Sequence, residues 1–207
     1  MGGGSKIINQ VSIDNRPKHI ELRNKVGHWE GDLVIGKDHK SAIGTIVERK
    51  TRFSLINKLK SKKAMEVAKE FSKIVNKLNP IYKNSMTYDN GIEMVRHEMI
   101  TKNTGIKIYF AHPYSSWERG TNENTNGLIT GYLPEGTNFN EIDLKKGQTI
   151  QEKLNNRPRK IIGYKTPKEM MQNEMKFVAS YHHKTKTLCC ATILNPKFSA
   201  LQNYALN

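Results

Sequence analysis

Long hydrophobic runs are missing from this chain of 207 residues. Its uninterrupted apolar stretches are only a few residues each, far short of the roughly 20 that a bilayer-spanning helix needs. Cysteine is nearly absent: Cys189 and Cys190 are adjacent, so they cannot staple a long loop. The opening Met1-Gly2-Gly3-Gly4-Ser5 lacks the apolar core of a secretory signal. Acidic residues are also scarce, nineteen Asp and Glu against thirty-four Lys and Arg, for a formal charge of +15. A surface of that sign suits a polyanion, and with membrane insertion set aside the expected partner is nucleic acid. A cytoplasmic protein is expected. No Ser, His and Asp arrangement, no Gly-rich nucleotide loop and no internal repeat announces itself.

What is present is a change of period along the chain. Residues 1–20 are polar and unpatterned and are expected to form a mobile arm. From His28 to Lys60, Trp29, Leu33 and Ile35 alternate with Glu30, Asp32 and Val34. Ser41 to Val47 is an apolar run, and Phe53, Leu55, Asn57 and Leu59 alternate with Ser54, Ile56 and Lys58. Breaks at Gly36-Lys37-Asp38 and Lys50-Thr51-Arg52 make this three sequential antiparallel strands. Ala64, Met65, Val67, Ala68, Phe71, Ile74, Val75 and Leu78 then recur at helical spacing, with Ser61 as the expected cap and Asn79-Pro80 as the stop. A short strand, Ser85 to Tyr88, runs into the turn signal Asp89-Asn90-Gly91. A helix is expected from about Glu93 to Asn103, ended by Gly105, and Ile106, Ile108 and Phe110 form a last strand. Ser115-Ser116-Trp117-Glu118 has the capping-box pattern and should open the helix that carries Glu123.

Three strands, helix, strand, helix, strand, helix is the plan of the ribonuclease H fold, an α/β architecture with a mixed five-stranded sheet flanked by helices. The chain is long enough to bury its own core. Residues 21–173 are expected to form this domain, with residues 174–207 an unassigned C-terminal extension. Three carboxylates fall at telling places: Asp32 within the first strand, Asp89 at the end of the fourth, and Glu123 in the first turns of the last core helix. Taken singly each has an ordinary reading, as a solvent-face strand residue, a turn former and a solvated helix residue. In the ribonuclease H plan the three places converge.

Longer signatures surround these acids. They are Gly27-His28-Trp29-Glu30-Gly31-Asp32, Val47-Glu48-Arg49-Lys50-Thr51-Arg52-Phe53, Tyr88-Asp89-Asn90-Gly91, and Tyr114-Ser115-Ser116-Trp117-Glu118-Arg119-Gly120-Thr121-Asn122-Glu123-Asn124-Thr125-Asn126-Gly127, followed by Leu154-Asn155-Asn156-Arg157-Pro158-Arg159-Lys160 and Thr166-Pro167-Lys168-Glu169. With 33 residues between Asp89 and Glu123, the set resembles the Asp-Asp-Glu catalytic domains of bacterial transposases and integrases, most closely the insertion-sequence-30 family, from Ile13 to Met171. The resemblance implies a metal-dependent transposase that cleaves one strand at transposon ends and transfers it into target DNA. Asp32, Asp89 and Glu123 would be its catalytic residues and the ligands of two Mg2+ ions, with Mn2+ able to substitute. The protein would work on bacterial DNA as a homodimer or a larger assembly. Family members carry helix-turn-helix regions upstream, and with 31 residues ahead of Asp32 such a region is expected to be absent. The alternatives are an inactive remnant that binds DNA electrostatically and a nuclease of the same fold.

Other residues are assigned with their alternatives beside them. Asn122, Asn124 and Asn126 are neutral groups suited to DNA phosphates or to orienting a ligand. Arg119 is a phosphate clamp or an exposed salt bridge, and Trp117 a buried anchor for the helix start or a base-stacking platform. Gly120 and Gly127 either admit the DNA backbone or permit close helix packing. Lys58 to Lys83 holds eight Lys and reads as a solvated helix face. Arg157, Arg159 and Lys160, around Pro158, project from a turn and are expected to touch DNA phosphates, which would give salt-dependent affinity with little sequence information. His182-His183 and Cys189-Cys190 lack the usual zinc-ligand spacing.

Overall fold

The computed structural model describes residues 7–39, 41–133 and 136–186. Strands β1 (His28–Ile35), β2 (Ala42–Glu48) and β3 (Ser54–Leu59) pair antiparallel in sequence. Then come α1 (Ala64–Lys77), β4 (Ser85–Tyr88), α2 (His97–Thr104), β5 (Lys107–Phe110), α3 (Gly120–Thr130), α4 (Leu144–Asn155) and α5 (Pro167–Lys186). The sheet order is β3-β2-β1-β4-β5, with β4 parallel to both β1 and β5. Parallel neighbours need a crossover, and α1 and α2 supply the two. This is the ribonuclease H-like plan expected from the sequence.

Register gives each strand residue a face. Trp29, Ile46, Leu59, Met86, Tyr88, Ile108 and Phe110 point to the side covered by α1 and α2, where Val67, Phe71 and Val75 complete the larger core. Ile43, Val34 and Ile56 point the other way and pack with Ile129, Phe139, Ile150 and Leu154 beneath α3 and α4. β2 is buried at every residue because it is an inner strand covered on both faces, which is why its sequence is a run rather than an alternation. In the middle of the second face the apolar pattern stops: Glu30 pairs with Thr87, and Asp32 with Thr45. A polar strip is thereby laid under α3.

Local signals were read with unequal success. Gly105 ends α2 in the left-handed conformation (φ 78°) as expected. α1 opens at Ala64, with Lys63 rather than Ser61 at the cap, and the Ser61 hydroxyl accepts only a 3.4 Å bond from the Lys63 N–H. α2 begins at His97, because Ile92–Met94 form a separate 3-10 turn. The stretch expected to be a mobile arm is part of the body over residues 7–20. Ile7 and Ile20 are buried, Phe110 N–H donates to Val11 O at 2.9 Å, and Arg16 Nη1 donates to Thr87 Oγ1 at 2.7 Å. The boundary expected at 173/174 falls inside α5, and Cys189 and Cys190 lie outside the described residues. No helix among the described residues is long and apolar enough to cross a membrane.

Candidate active site

β1 and β4 run parallel with Glu30 opposite Thr87, so two residues further along each chain Asp32 and Asp89 are level and point to the same face. Paired strands lie about 4.8 Å apart, and just past the end of this ladder both carboxylates reach one guanidinium. Two carboxylates that close repel unless something positive lies between them, and Arg119 does. Its Nη1 is 3.3 Å from Asp32 Oδ2 and its Nη2 is 3.3 Å from Asp89 Oδ2. Nη1 also donates to Gly31 O at 3.2 Å. The exposed salt bridge weighed for Arg119 is therefore a shielded one, with only 12% of its side chain open to solvent.

Each acid is also fixed by local bonds. Asp32 Oδ1 accepts the Leu33 N–H at 2.8 Å, and Oδ2 accepts from Asn126 Nδ2 at 3.0 Å. Burial pushes the Asp32 carboxyl above the usual carboxylate range, Arg119 pulls it back, and the Asp89 charge adds to the rise. Asp89 Oδ1 accepts the Gly91 N–H at 3.1 Å, closing the turn that its sequence advertised, and Asn90 Nδ2 ties that turn to Ala111 O at 2.6 Å. Glu93, just beyond, is raised by its own burial and secondarily by the Asp89 and Asp32 charges. It is an acid beside the site that the sequence reading passed over.

Glu123 is exposed on α3. At about 100° per residue it lies about 60° around the helix from Asn126, which touches Asp32. It does not close on the pair: no group of three or more His, Cys, Asp or Glu side chains among the described residues is set to hold a metal. The chemistry of the donor set nevertheless fits a hard divalent cation, since the carboxylates of Asp32 and Asp89 already share one cationic group and carboxylate oxygens are the ligands such ions prefer.

The three asparagines, read alike from the sequence, separate by burial. Asn122 is fully buried: its N–H donates to Glu30 Oε2 and its Nδ2 to Glu30 O, both at 2.9 Å, and its Oδ1 lies 3.0 Å from Thr45 Oγ1. It pins α3 to the sheet and presents nothing to a phosphate, which corrects its assignment as a DNA contact. Asn126 is half-buried and orients Asp32, with its Oδ1 3.0 Å from the same Thr45 hydroxyl. Asn124 is exposed. Glu30, which alternation would place in solvent, is fully buried with Arg49 Nε 3.5 Å from its Oε1, and Arg49 Nη2 meets Glu21 Oε2 at 2.9 Å.

The signature around Glu48 also has a structural explanation. The carboxylate accepts from the Gly27, Lys50 and Thr51 N–H groups and from the Thr51 hydroxyl, at 2.7 to 3.2 Å, which sets the β2–β3 turn. That turn delivers Arg52, whose Nη1 donates to Thr121 Oγ1 at 2.6 Å at the start of α3. Burial holds the Arg52 guanidinium down to about 10. None of these supports could be picked out from residue type alone.

Trp117 was expected to be a buried anchor and is 72% exposed. Ser116–Arg119 form a 3-10 turn with no buried residue, and the Ser115 hydroxyl does not cap it. Glu118 reaches away instead, its carboxylate accepting the His112 N–H and meeting His112 Nδ1, both at 2.8 Å. A Cβ at Gly120 or Gly127 would meet no heavy atom within 4 Å, so close packing does not explain them. Arg157 and Lys160 are exposed. Arg159 is folded back, donating from Nη2 to Leu154 O at 3.3 Å, which removes it from the projecting set. Neither a largely apolar cleft of about 270 Å³ between β3, α1, α4 and α5 nor a second cleft near Lys37 and Asn138 includes Asp32 or Asp89. The acid pair stands on an open face, with 39% of the Asp89 side chain exposed.

Comparisons with known proteins agree with the geometry. Residues 23–116 match the integrase core domain family, a span that contains Asp32 and Asp89 and ends seven residues before Glu123. The chain is 47% identical over 167 residues to the transposase for insertion sequence element IS4351 of Bacteroides fragilis, covering 81% of this chain and 51% of that one. It is 41% identical over 170 residues to the transposase InsI for insertion sequence element IS30A of Escherichia coli K12, covering 82% and 44%. It thus spans about half the length of the curated relatives it matches. Among solved structures, the catalytic core domain of BIV integrase superposes with a TM-score of 0.53 at 19% identity, covering 77% of this chain and 98% of that one, which shows the shared fold. Residues 23–116 match the integrase core domain family, and over about four fifths of its length the chain resembles the transposases of insertion sequences of the insertion-sequence-30 kind.

Proposed function

We propose that this chain is the catalytic domain of a DNA transposase, which cleaves a strand at transposon ends and joins the freed 3′ hydroxyl to target DNA with Asp32, Asp89 and Glu123 as its metal-binding acids. The observation that carries this is the Asp32–Asp89 pair, one on β1 and the other just past the end of its parallel neighbour β4, sharing one cationic group on an open face. Divalent ions bound there would activate the attacking oxygen and stabilise the leaving oxygen of a phosphodiester.

The protein's own groups do the rest. β1 is a rigid inner strand, so Asp32 is held in place by the sheet and by Asn126 and Leu33. Asp89 is held by its turn. Glu123 rides on α3, whose position is fixed by Asn122 and Arg52, and would have to turn inward to join the pair. Exposed Asn124, Trp117, Arg157 and Lys160 are available to the DNA, and the +15 charge attracts it. Contacts of that kind are chiefly to phosphate, so affinity should fall steeply as salt rises from about 50 to about 200 mM.

The test is strand transfer of a pre-cut transposon end by Asp32→Asn, Asp89→Asn and Glu123→Gln, with folding checked by circular dichroism. Each change should abolish joining and leave the fold intact. Near-normal joining by folded Asp32→Asn would refute the assignment.

A further inference from the structure

The cation beside the acid pair belongs to the protein itself. Arg119 spans Asp32 and Asp89 through contacts of 3.3 Å each, longer than the roughly 2.7–2.9 Å of well-formed charge-assisted bonds. Its buried Nε has no hydrogen-bond partner. One guanidinium charge faces two carboxylates, so the trio is under-neutralised as well as loosely bonded. The segment that carries Arg119 is lightly packed: no residue of Ser116–Arg119 belongs to the core, Trp117 is 72% exposed, and a Cβ on the next residue, Gly120, would meet no neighbour within 4 Å.

We propose that Arg119 is a displaceable counter-ion, which holds Asp32 and Asp89 together in the metal-free protein and is driven out toward solvent when a divalent cation enters between them, to become a phosphate contact. The inference rests on the reading of Asp32 and Asp89 as metal ligands. Its logic is charge balance. A divalent ion neutralises both carboxylates where the guanidinium neutralises one, and the released fork suits the bidentate geometry of a phosphate. Metal loading and DNA engagement would then be coupled through a single side chain, with the acid pair protected from its own repulsion until both arrive.

The experiment is calorimetric titration of Mn2+ into the DNA-free protein, for the wild type, Arg119→Ala, Arg119→Lys and Asp32→Asn, with melting curves in chelator and in Mn2+. Arg119→Ala should bind Mn2+ about tenfold more tightly than wild type, the order expected when one partly shielded opposite charge no longer competes. It should also melt below wild type in chelator and gain more on adding Mn2+. Arg119→Lys, which keeps the charge and loses the fork, should bind between the two, and it carries the test if the alanine variant does not fold. Wild-type or weaker Mn2+ affinity in a folded Arg119 variant would overturn the proposal while leaving the metal site standing, provided Asp32→Asn abolishes wild-type binding. Absence of any Mn2+ binding that Asp32→Asn removes would overturn both.

Discussion

Replacing Asn122 with alanine should destabilise the fold by about 2 to 3 kcal/mol, although its neighbours in sequence are unremarkable polar residues. The side chain is fully buried, and its Nδ2 gives Glu30 O a 2.9 Å bond while its Oδ1 faces the Thr45 hydroxyl at 3.0 Å. Each buried hydrogen bond contributes about 1 kcal/mol net, and truncation adds a small cavity. The Thr45 hydroxyl can turn to Asn126 Oδ1, also at 3.0 Å, which keeps the loss toward the lower end. Urea unfolding in chelator is the assay: the midpoint should fall with the slope unchanged. Asn124→Ala, at an exposed position, should stay within about 0.5 kcal/mol of wild type. Equal stability of the two variants would refute the argument that Asn122 pins α3 and would return it to the DNA-facing set.

Gly31→Ala should destabilise by about 1 to 3 kcal/mol, because a Cβ there would come 2.2 Å from the Tyr88 ring; it should also weaken strand transfer by shifting Asp89, and urea unfolding together with joining assays would read both. Trp117→Ala should leave stability within about 0.5 kcal/mol of wild type, since the ring is 72% exposed, and weaken binding to DNA with single-stranded ends, measured by fluorescence anisotropy. His112 is raised above 6.5 by its hydrogen bonds to Glu118 and then Asp14. Its protonated form therefore stabilises the fold below the unfolded value, and that contribution is lost as pH rises through the folded value. Wild type should lose stability relative to His112→Gln as pH rises from 6.5 through the raised folded value, and parallel pH profiles would refute this.

The sheet and its main helices were legible because their signals are local. The apolar run of β2 and the helical recurrence of Val67, Phe71 and Val75 follow from which faces are covered. Asp89 was legible for the same reason, its turn being written in Asp89-Asn90-Gly91. What escaped depends on partners distant in sequence. Asn122 and Asn124 are the same residue type two positions apart, and only the docking of α3 on Glu30 and Thr45 separates them. Glu30 reads as solvent-facing until Arg49 and Asn122 are brought to it. Ile7 and Ile20 lie in an unpatterned stretch and are buried because that stretch lies against the β4–β5 edge. Trp117 misled because a large aromatic ring is usually an anchor, whereas here the 3-10 turn holds it off the core.

The central claim, that Asp32, Asp89 and Glu123 form one metal site, is tested most directly by anomalous diffraction from crystals of the protein grown with saturating Mn2+. A manganese peak between Asp32 and Asp89, with Glu123 turned inward and Arg119 swung away, is the predicted result. Arg119 still bridging the two aspartates, with no anomalous peak beside them, would contradict it.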